Sequence, residues 1–303
     1  MNNSNTTEAL LAISRLEGMS RRRFAQFVRQ LKKQVLPANQ HLTYLDLIDF
    51  GMRANLFSPM LPISFFMAGY QSAQQILELC SKAAIHMISP FDEIFPTCFQ
   101  ASDDAPVLLF YQGELRCLGQ RRMAVIGTRT PSASGKTFAH NMGRELAKRD
   151  ICVISGLAKG CDTAAHLGCL ENGGKTVAFL PASLTAVAPS SNQELANEIV
   201  KGGGCLISEY SPLEEMPRKH YYIARDRLQA MSAQALIVSE FDKNSGTVHT
   251  LRFAEKYKRP IITDHAIAAS ASEIEDLLSK LKTDIRILAM AEIKIFLNNM
   301  RKN

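Results

Sequence analysis

No CxxC pair occurs among the seven cysteines of this sequence, and no apolar stretch is long and unbroken enough to span a bilayer. The first absence argues against a metal cluster, and the odd cysteine count argues against a closed disulfide framework. Both read as reduced, cytoplasmic usage, with no metal and no membrane partner expected. The polar start Met1-Asn2-Asn3-Ser4-Asn5 carries no sign of a signal peptide. There is no internal repeat and no low-complexity block.

The familiar nucleotide loops are missing as well. Gly135-Lys136-Thr137 ends like a Walker A loop, but Thr130 stands where the leading glycine belongs. Gly173-Gly174-Lys175-Thr176 fails in the same way, with Cys169 at that place, and it precedes a strand. After Gly127 the chain runs Thr128-Arg129-Thr130-Pro131 with no second glycine, so the dinucleotide GxGxxG is absent. No cofactor is expected.

What is present fits a globular chain able to bury a full core, with 46% hydrophobic and 21% charged residues. The formal charge of +6 permits a nucleic-acid partner without demanding one. Residues 1–85 read as helical. Ala9–Ile13 opens one amphipathic segment, Gly18-Met19-Ser20 breaks it, and Arg21 to Leu36 restarts with Phe24, Phe27, Val28 and Leu31 at helical spacing. A helix, a glycine turn and a second helix bearing Arg21, Arg22 and Arg23 resemble a helix-hairpin-helix or SAM-like unit. A plain helical bundle with a solvated basic face gives the same pattern. Residues 86–120 form a proline-punctuated lead-in with a strand over Val107–Tyr111.

From 122 onward apolar strands alternate with helices. Strands centre on 124–126, 152–154, 177–180, 205–207, 236–238 and 261–262, and helices are predicted over 135–149 and 162–171. Strands apolar throughout, alternating with helices, predict an α/β fold: an extended Rossmann-like parallel sheet with helices on both faces, behind the small helical domain. It is expected to run from 86 to 266. A helical tail is expected over 267–303, ending in the charged turn Arg301-Lys302.

Three turns follow strands and precede helices: Gly127-Thr128-Arg129, Ser155-Gly156-Leu157-Ala158-Lys159-Gly160, and Asn244-Ser245-Gly246-Thr247. In a parallel sheet they gather at the carboxyl edge, where unpaired helix-start N–H groups favour phosphate. Arg129 would fork a phosphate there or pair with a nearby carboxylate. Asp162 reads as the N-cap of the helix after the second turn, with His166 four residues on. The pair invites a catalytic reading, but no nucleophile can be assigned to it, so both are read as structural support and no catalytic residue is expected. Pro189-Ser190-Ser191-Asn192 carries an N-cap signature. Glu209, at a strand's carboxyl edge, is a general base or the anchor of a basic residue. Arg218-Lys219-His220-Tyr221-Tyr222 with Arg225-Asp226-Arg227 mixes cations and aromatics. That mixture suits single-stranded nucleic acid, or equally a solvated loop and helix start with an internal Arg–Asp pair.

Together these segments resemble the DNA-processing protein A family (DprA/Smf). Val125-Ile126-Gly127-Thr128-Arg129 matches its VGxR turn, Ser155 to Asp162 its SGLAxGID, and His166 its AH. The lead-in Pro106 to Gly113, then Gly174-Lys175-Thr176, Pro189 to Asn192, Ser208-Glu209 and Ser245-Gly246-Thr247 follow in the family's order. The resemblance implies a usually dimeric protein that binds single-stranded DNA and helps load a RecA-type recombinase during natural transformation. By motif position, Arg129, Lys159, Arg225 and Arg227 would contact DNA phosphates. The turns Gly127-Thr128, Ser155-Gly156, Gly160 and Ser245-Gly246-Thr247 would donate backbone N–H groups. Two positions depart from the family. Its RNR reads Arg225-Asp226-Arg227, and a carboxylate there weakens phosphate binding unless an arginine neutralises it. Thr263-Asp264-His265 replaces its closing Pro-Gly.

A single-stranded DNA binder is therefore the expected function. The alternative is a nucleotide sensor, or a nucleotide hydrolase of the LOG type in the same superfamily. The hydrolase needs PGGxGTxxE, and Asn244 to Thr250 supplies neither Pro-Gly-Gly nor the glutamate. A third reading is an adaptor whose residues 1–85 dock a recombinase or helicase.

Overall fold

The computed structural model describes residues 6–34, 41–100, 102–214, 217–242, 245–268 and 278–299. Asn244, Leu36 and the Arg301-Lys302 turn lie outside the described residues. The chain divides into two compact units. The first holds residues 1–95, 100–110 and 211–213; the second holds the remainder.

In the first unit, helices α1 (Thr6–Ser14), α2 (Arg21–Gln34), α3 (Tyr44–Arg53) and α4 (Ile63–Lys82) precede a short strand, β1 (His86–Ile88). Spacing of i, i+3, i+4 and i+7 puts Phe24, Phe27, Val28 and Leu31 on one face of α2, and all four are buried. Arg21, Arg22 and Arg23 stay exposed on the same helix. α1 is buried along Ala9–Ile13 and packs against α3 and α4. Thr43 and Asp46 form a capping box that starts α3.

In the second unit the strands are β3 (Arg122–Ile126), β4 (Cys152–Ser155), β5 (Thr176–Phe179), β6 (Cys205–Ser208), β7 (Ala235–Val238), β8 (Ile261–Asp264) and β9 (Ile285–Leu288). They lie in the order β6-β5-β4-β3-β7-β8-β9, and every neighbouring pair is parallel. The lead-in strand is β2 (Leu109–Gly113), two residues later than the apolar run suggests. After it, Glu114 N donates to Gly204 O. Helices α5 (Ala133–Ala147), α6 (Cys161–Leu170), α7 (Gln193–Lys201), α8 (Lys219–Ser232) and α9 (Thr247–Lys256) alternate with these strands.

Strands β3 to β8 are buried on nearly every residue, as a sheet covered on both faces must be. One face of β3, β4, β7 and β8 packs under α5 and α6, with Val125, Val153, Ile237, Met142 and Ala165 in a common core. α8 lies across β3, β4 and β5 and packs beside α9.

The tail is not purely helical. After the short helix α10 (His265–Ala268), β9 adds a strand in register with β8, pairing Ile285 with Ile261 and Leu288 with Asp264. Helix α11 (Met290–Asn299) then buries Ile293 and Leu297 in the core beneath α5 and α6. The helical expectation failed because Ile285-Arg286-Ile287-Leu288 is a short, half-exposed edge strand with a weak period-two signal.

Candidate nucleic-acid interface

Chain order runs outward from β3 through β4 and β5 to β6, then returns to β7 on the other side of β3. That reversal splays the loops after β3, β4 and β7 and opens a crevice at their carboxyl ends. The crevice has a volume of about 570 Å³. Its walls come from Ile126 to Arg129, Ala158 and Asp162, Ser245 to Thr247, and the α8 residues Lys219, Tyr222, Arg225, Asp226 and Gln229. All three turns read from the sequence therefore meet in one place.

The first turn is tied to β7. Thr128 N donates to Glu240 O at 2.7 Å, and Cys161 N donates to Thr128 O at 3.1 Å. Ser132 caps α5 by accepting from Gly135 N at 3.1 Å. Glu240 reaches the same helix start: its Oε2 accepts from Ser132 N at 2.9 Å and from the Ser132 hydroxyl. A side-chain carboxylate thus holds part of the α5 N-terminus, where the sequence suggested a phosphate. Arg129 stands exposed at the lip, its guanidinium 4.9 Å from the centre of the Tyr222 ring. It meets an aromatic face, and not the carboxylate that the alternative reading paired with it.

The second turn also closes on a carboxylate. Asp162 is not the N-cap; α6 begins at Cys161 behind Gly160. Its Oδ2 accepts from Gly156 N at 3.1 Å and from Ala158 N at 3.3 Å, which folds the turn back over the helix start. Ser155 is buried and spends its hydroxyl on Val125 O at 2.7 Å. Gly156 lies against Arg225, where a Cβ would come within 1.3 Å of Nη1. Leu157 adopts φ of 58°, and Asn192 holds its carbonyl at 2.8 Å while touching Thr163 Oγ1 at 2.9 Å. Asn192 therefore braces the turn, and α7 starts only at Gln193 after a 3-10 turn. Lys159 is exposed at the tip; Lys159 and Gly160 are not among the crevice walls.

The third turn differs. α9 begins at Thr247 behind Gly246, with no side-chain cap and no acidic residue in its first turn. Ser245 N donates to Asp242 O at 3.0 Å. Ser245, Gly246 and Thr247 line the crevice directly.

Of the cations read on α8, Arg225 and Arg227 are internal, while Lys219 is open. Arg225 is 5% exposed, and its Nε lies 3.1 Å from Asp226 Oδ1 and its Nη1 3.8 Å from Asp162 Oδ2. Its Nη1 also donates to Phe179 O at 3.3 Å. Arg227 leaves the crevice and donates from Nη2 to both Glu209 oxygens at 2.7 Å. Glu209 is thereby an anchor of a basic residue. Burial pushes the Asp162 carboxyl up, against the pull of Arg225 and two backbone N–H groups. Burial pushes Asp226 up to about 7, with Arg225 and Arg129 pulling down and Asp162 pushing up.

His166 does not meet Asp162. It is fully buried, with Nδ1 2.6 Å from Thr176 Oγ1, and that hydroxyl donates onward to Val153 O at 3.0 Å. The ring therefore donates from Nδ1 and ties α6 to β5. Burial, then the charge of Arg225, lowers its pKa to about 3, so it stays neutral.

A family model described as DNA recombination-mediator protein A matches residues 86–281. The chain belongs to that family. DNA processing protein DprA of Streptococcus pneumoniae is 36% identical over 173 residues, 57% of this chain and 60% of that protein. Protein Smf of Escherichia coli is 32% identical over 176 residues, 58% of this chain and 47% of that protein. This member thus spans about half the length of the curated relatives it matches. Among solved structures, S. pneumoniae DprA shares the fold with a TM-score of 0.72 at 24% identity over 99% of both chains. DNA processing protein A from Helicobacter pylori, whose structure describes its single-stranded DNA binding mode, gives 0.61 at 28% identity. That match covers 71% of this chain and 94% of the other.

Among the described residues no helix is long and apolar enough to cross a membrane, and no cluster of metal-ligating side chains occurs.

Proposed function

We propose that this chain binds single-stranded DNA, with the phosphate backbone entering the crevice at the carboxyl edge of the sheet. The observation that carries this reading is Arg129 lying over Tyr222 at the crevice lip. A guanidinium offers two parallel donors to a phosphate, and the ring beneath it holds that fork in place and offers a face to a base. Lys219 on the wall and Lys159 nearby are both exposed and extend the cationic track. The start of α9 behind Gly246, with no side-chain cap and no acidic residue in its first turn, offers further backbone N–H groups. Membership of a recombination-mediator family, and the single-stranded DNA binding mode of the H. pylori relative, support the same reading. On it, the protein acts in the cytoplasm without catalysis, as a homodimer that hands strands to a RecA-type recombinase.

The proposed contacts divide by position. Arg129, Lys159 and the Gly127-Thr128 and Ser245-Gly246-Thr247 turns would face the strand. Arg225 would set the charge of the crevice floor. Arg227, Ser155, Gly156, Gly160, Asp162, His166 and Glu209 would shape the site.

The test is fluorescence anisotropy with a labelled oligo-dT of about 30 nucleotides and a duplex of equal length, over a salt series. Wild type should prefer the single strand. Arg129→Ala and Lys159→Ala should each weaken binding and flatten the log–log salt slope by about 0.7. Binding indifferent to both substitutions would sink the crevice as the DNA site. The crevice volume also suits a mononucleotide. Saturable mononucleotide binding without oligonucleotide affinity would favour the sensor reading.

A further inference from the structure

The crevice floor carries an excess of acid. Arg225 is its one nearly buried guanidinium among the described wall residues, and two buried carboxylates face it. The two acids are not equivalent. Asp162 is committed as an acceptor, because the second turn hangs its Gly156 and Ala158 N–H groups on it. Among the described residues no backbone N–H donates to Asp226. The Gln229 amide nitrogen donates to the Asp226 Oδ1 at 3.2 Å, while the amide oxygen shares the Gly156 N–H with Asp162, at 2.8 Å. The contact of Asp226 with Arg225 is close but poorly aligned, and the Arg225 Nε has no acceptor in line with its N–H. Asp226 is the weaker-held member of a pair sharing one cation, and like Asp162 it lines the crevice, where Arg129 and Tyr222 also stand.

An anion entering here adds a third negative charge around Arg225. We propose, building on the reading of the crevice as a phosphate site, that it takes up phosphate together with one proton, which the Asp226 carboxyl group accepts from solvent. Protonation removes the repulsion and turns Asp226 from an acceptor into an O–H donor that can point at a phosphate oxygen. The Asp226 carboxyl already sits near the balance point, since burial holds it at about 7. A bound anion pushes in the same direction as Asp162 does. By linkage, whatever raises that pKa on binding makes binding weaken as pH rises.

The charged and titratable groups around Asp226 come from every wall. Arg225 and Lys219 share its helix, Asp162 comes from α6, and Arg129 from the first turn. Asp242 and His249 come from the far side. His249 places an imidazole in the same crevice, so the experiment must separate it from Asp226.

Oligo-dT binding would be followed by anisotropy from about pH 5.5 to about pH 8.5 at fixed ionic strength. Wild-type affinity should be level at the acid end and fall by up to about tenfold per pH unit above about pH 7. Asp226→Asn, which keeps the shape and removes the charge, should bind tightly with a flat profile, whereas His249→Asn should keep the wild-type fall. Calorimetry of wild type near pH 7, in two buffers of different ionisation heat, needs no variant. It should count about half a proton taken up per crevice filled. Oligonucleotide binding with no proton uptake, or an Asp226→Asn profile as steep as wild type, would overturn the proposal while leaving the DNA reading intact. If no oligonucleotide binds at any pH, the DNA reading falls. Inorganic tripolyphosphate then decides the proton coupling in the same calorimeter: uptake sustains it, and no uptake, or no binding at pH 5.5, overturns it.

Discussion

Asp162 and Glu240 do parallel work at two turns: each fills backbone N–H groups with a carboxylate of the chain's own. Asp162 was legible in the sequence because it lies six residues from Gly156 within one motif, although its role is to fold the turn and not to cap the helix. Glu240 was not legible, since it stands 108 residues from Ser132 and only the β3–β7 pairing brings them together. Asn192 was missed as a brace for the same reason: its partner Leu157 is 35 residues away. His166 supports a prediction at this scale. Its folded pKa, about 3, lies below the ordinary value, so the neutral ring contributes stability that is present above about pH 6.5. That contribution is lost as pH falls toward 3, at up to about 1.4 kcal/mol per pH unit. Denaturant unfolding should show this slope, and His166→Gln should be less stable at pH 8 yet flatter on the acid side. An acid slope unchanged by the substitution would count against a buried neutral ring.

The strands and helices from 122 to 264 were legible because their pattern is strong: mostly apolar strands of four or five residues and glycine-marked turns. What pattern could not show is how closely the elements approach. α5 and α6 touch backbone to backbone: a Cβ on Gly143 would lie 2.1 Å from Ala165 O, and one on Gly168 would lie 2.0 Å from His140 O. Backbone carbonyls in two packed helices cannot swing aside as a side-chain tip can. Gly143→Ala should therefore cost about 2–3 kcal/mol, read as a drop in the denaturation midpoint, despite alanine's better helix propensity. Because α6 carries Asp162 and α5 carries the Ser132 cap, the same variant should lose part of its oligonucleotide affinity. A variant as stable as wild type would show that the two helices can slide apart.

For the whole molecule, seven cysteines without a disulfide predict a chain that is chemically quiet while folded. Cys80, Cys117, Cys152, Cys161, Cys169 and Cys205 are buried, and Cys98 is half-buried. Burial pushes the Cys161 thiol up to about 11 and Cys169 up to about 12, which leaves little thiolate to react. A chromogenic disulfide reagent at pH 8 should titrate at most one thiol, Cys98, in the native protein and all seven in guanidinium. Rapid reaction of several native thiols would contradict the burial pattern. The internal carboxylates at the first two turns have a last consequence. Both loops are already fastened before any strand arrives, so capture there involves little ordering of the chain and proceeds at encounter-limited speed, hastened by the net charge of +6. Oligonucleotides of different sequence should then arrive equally fast and differ in residence time.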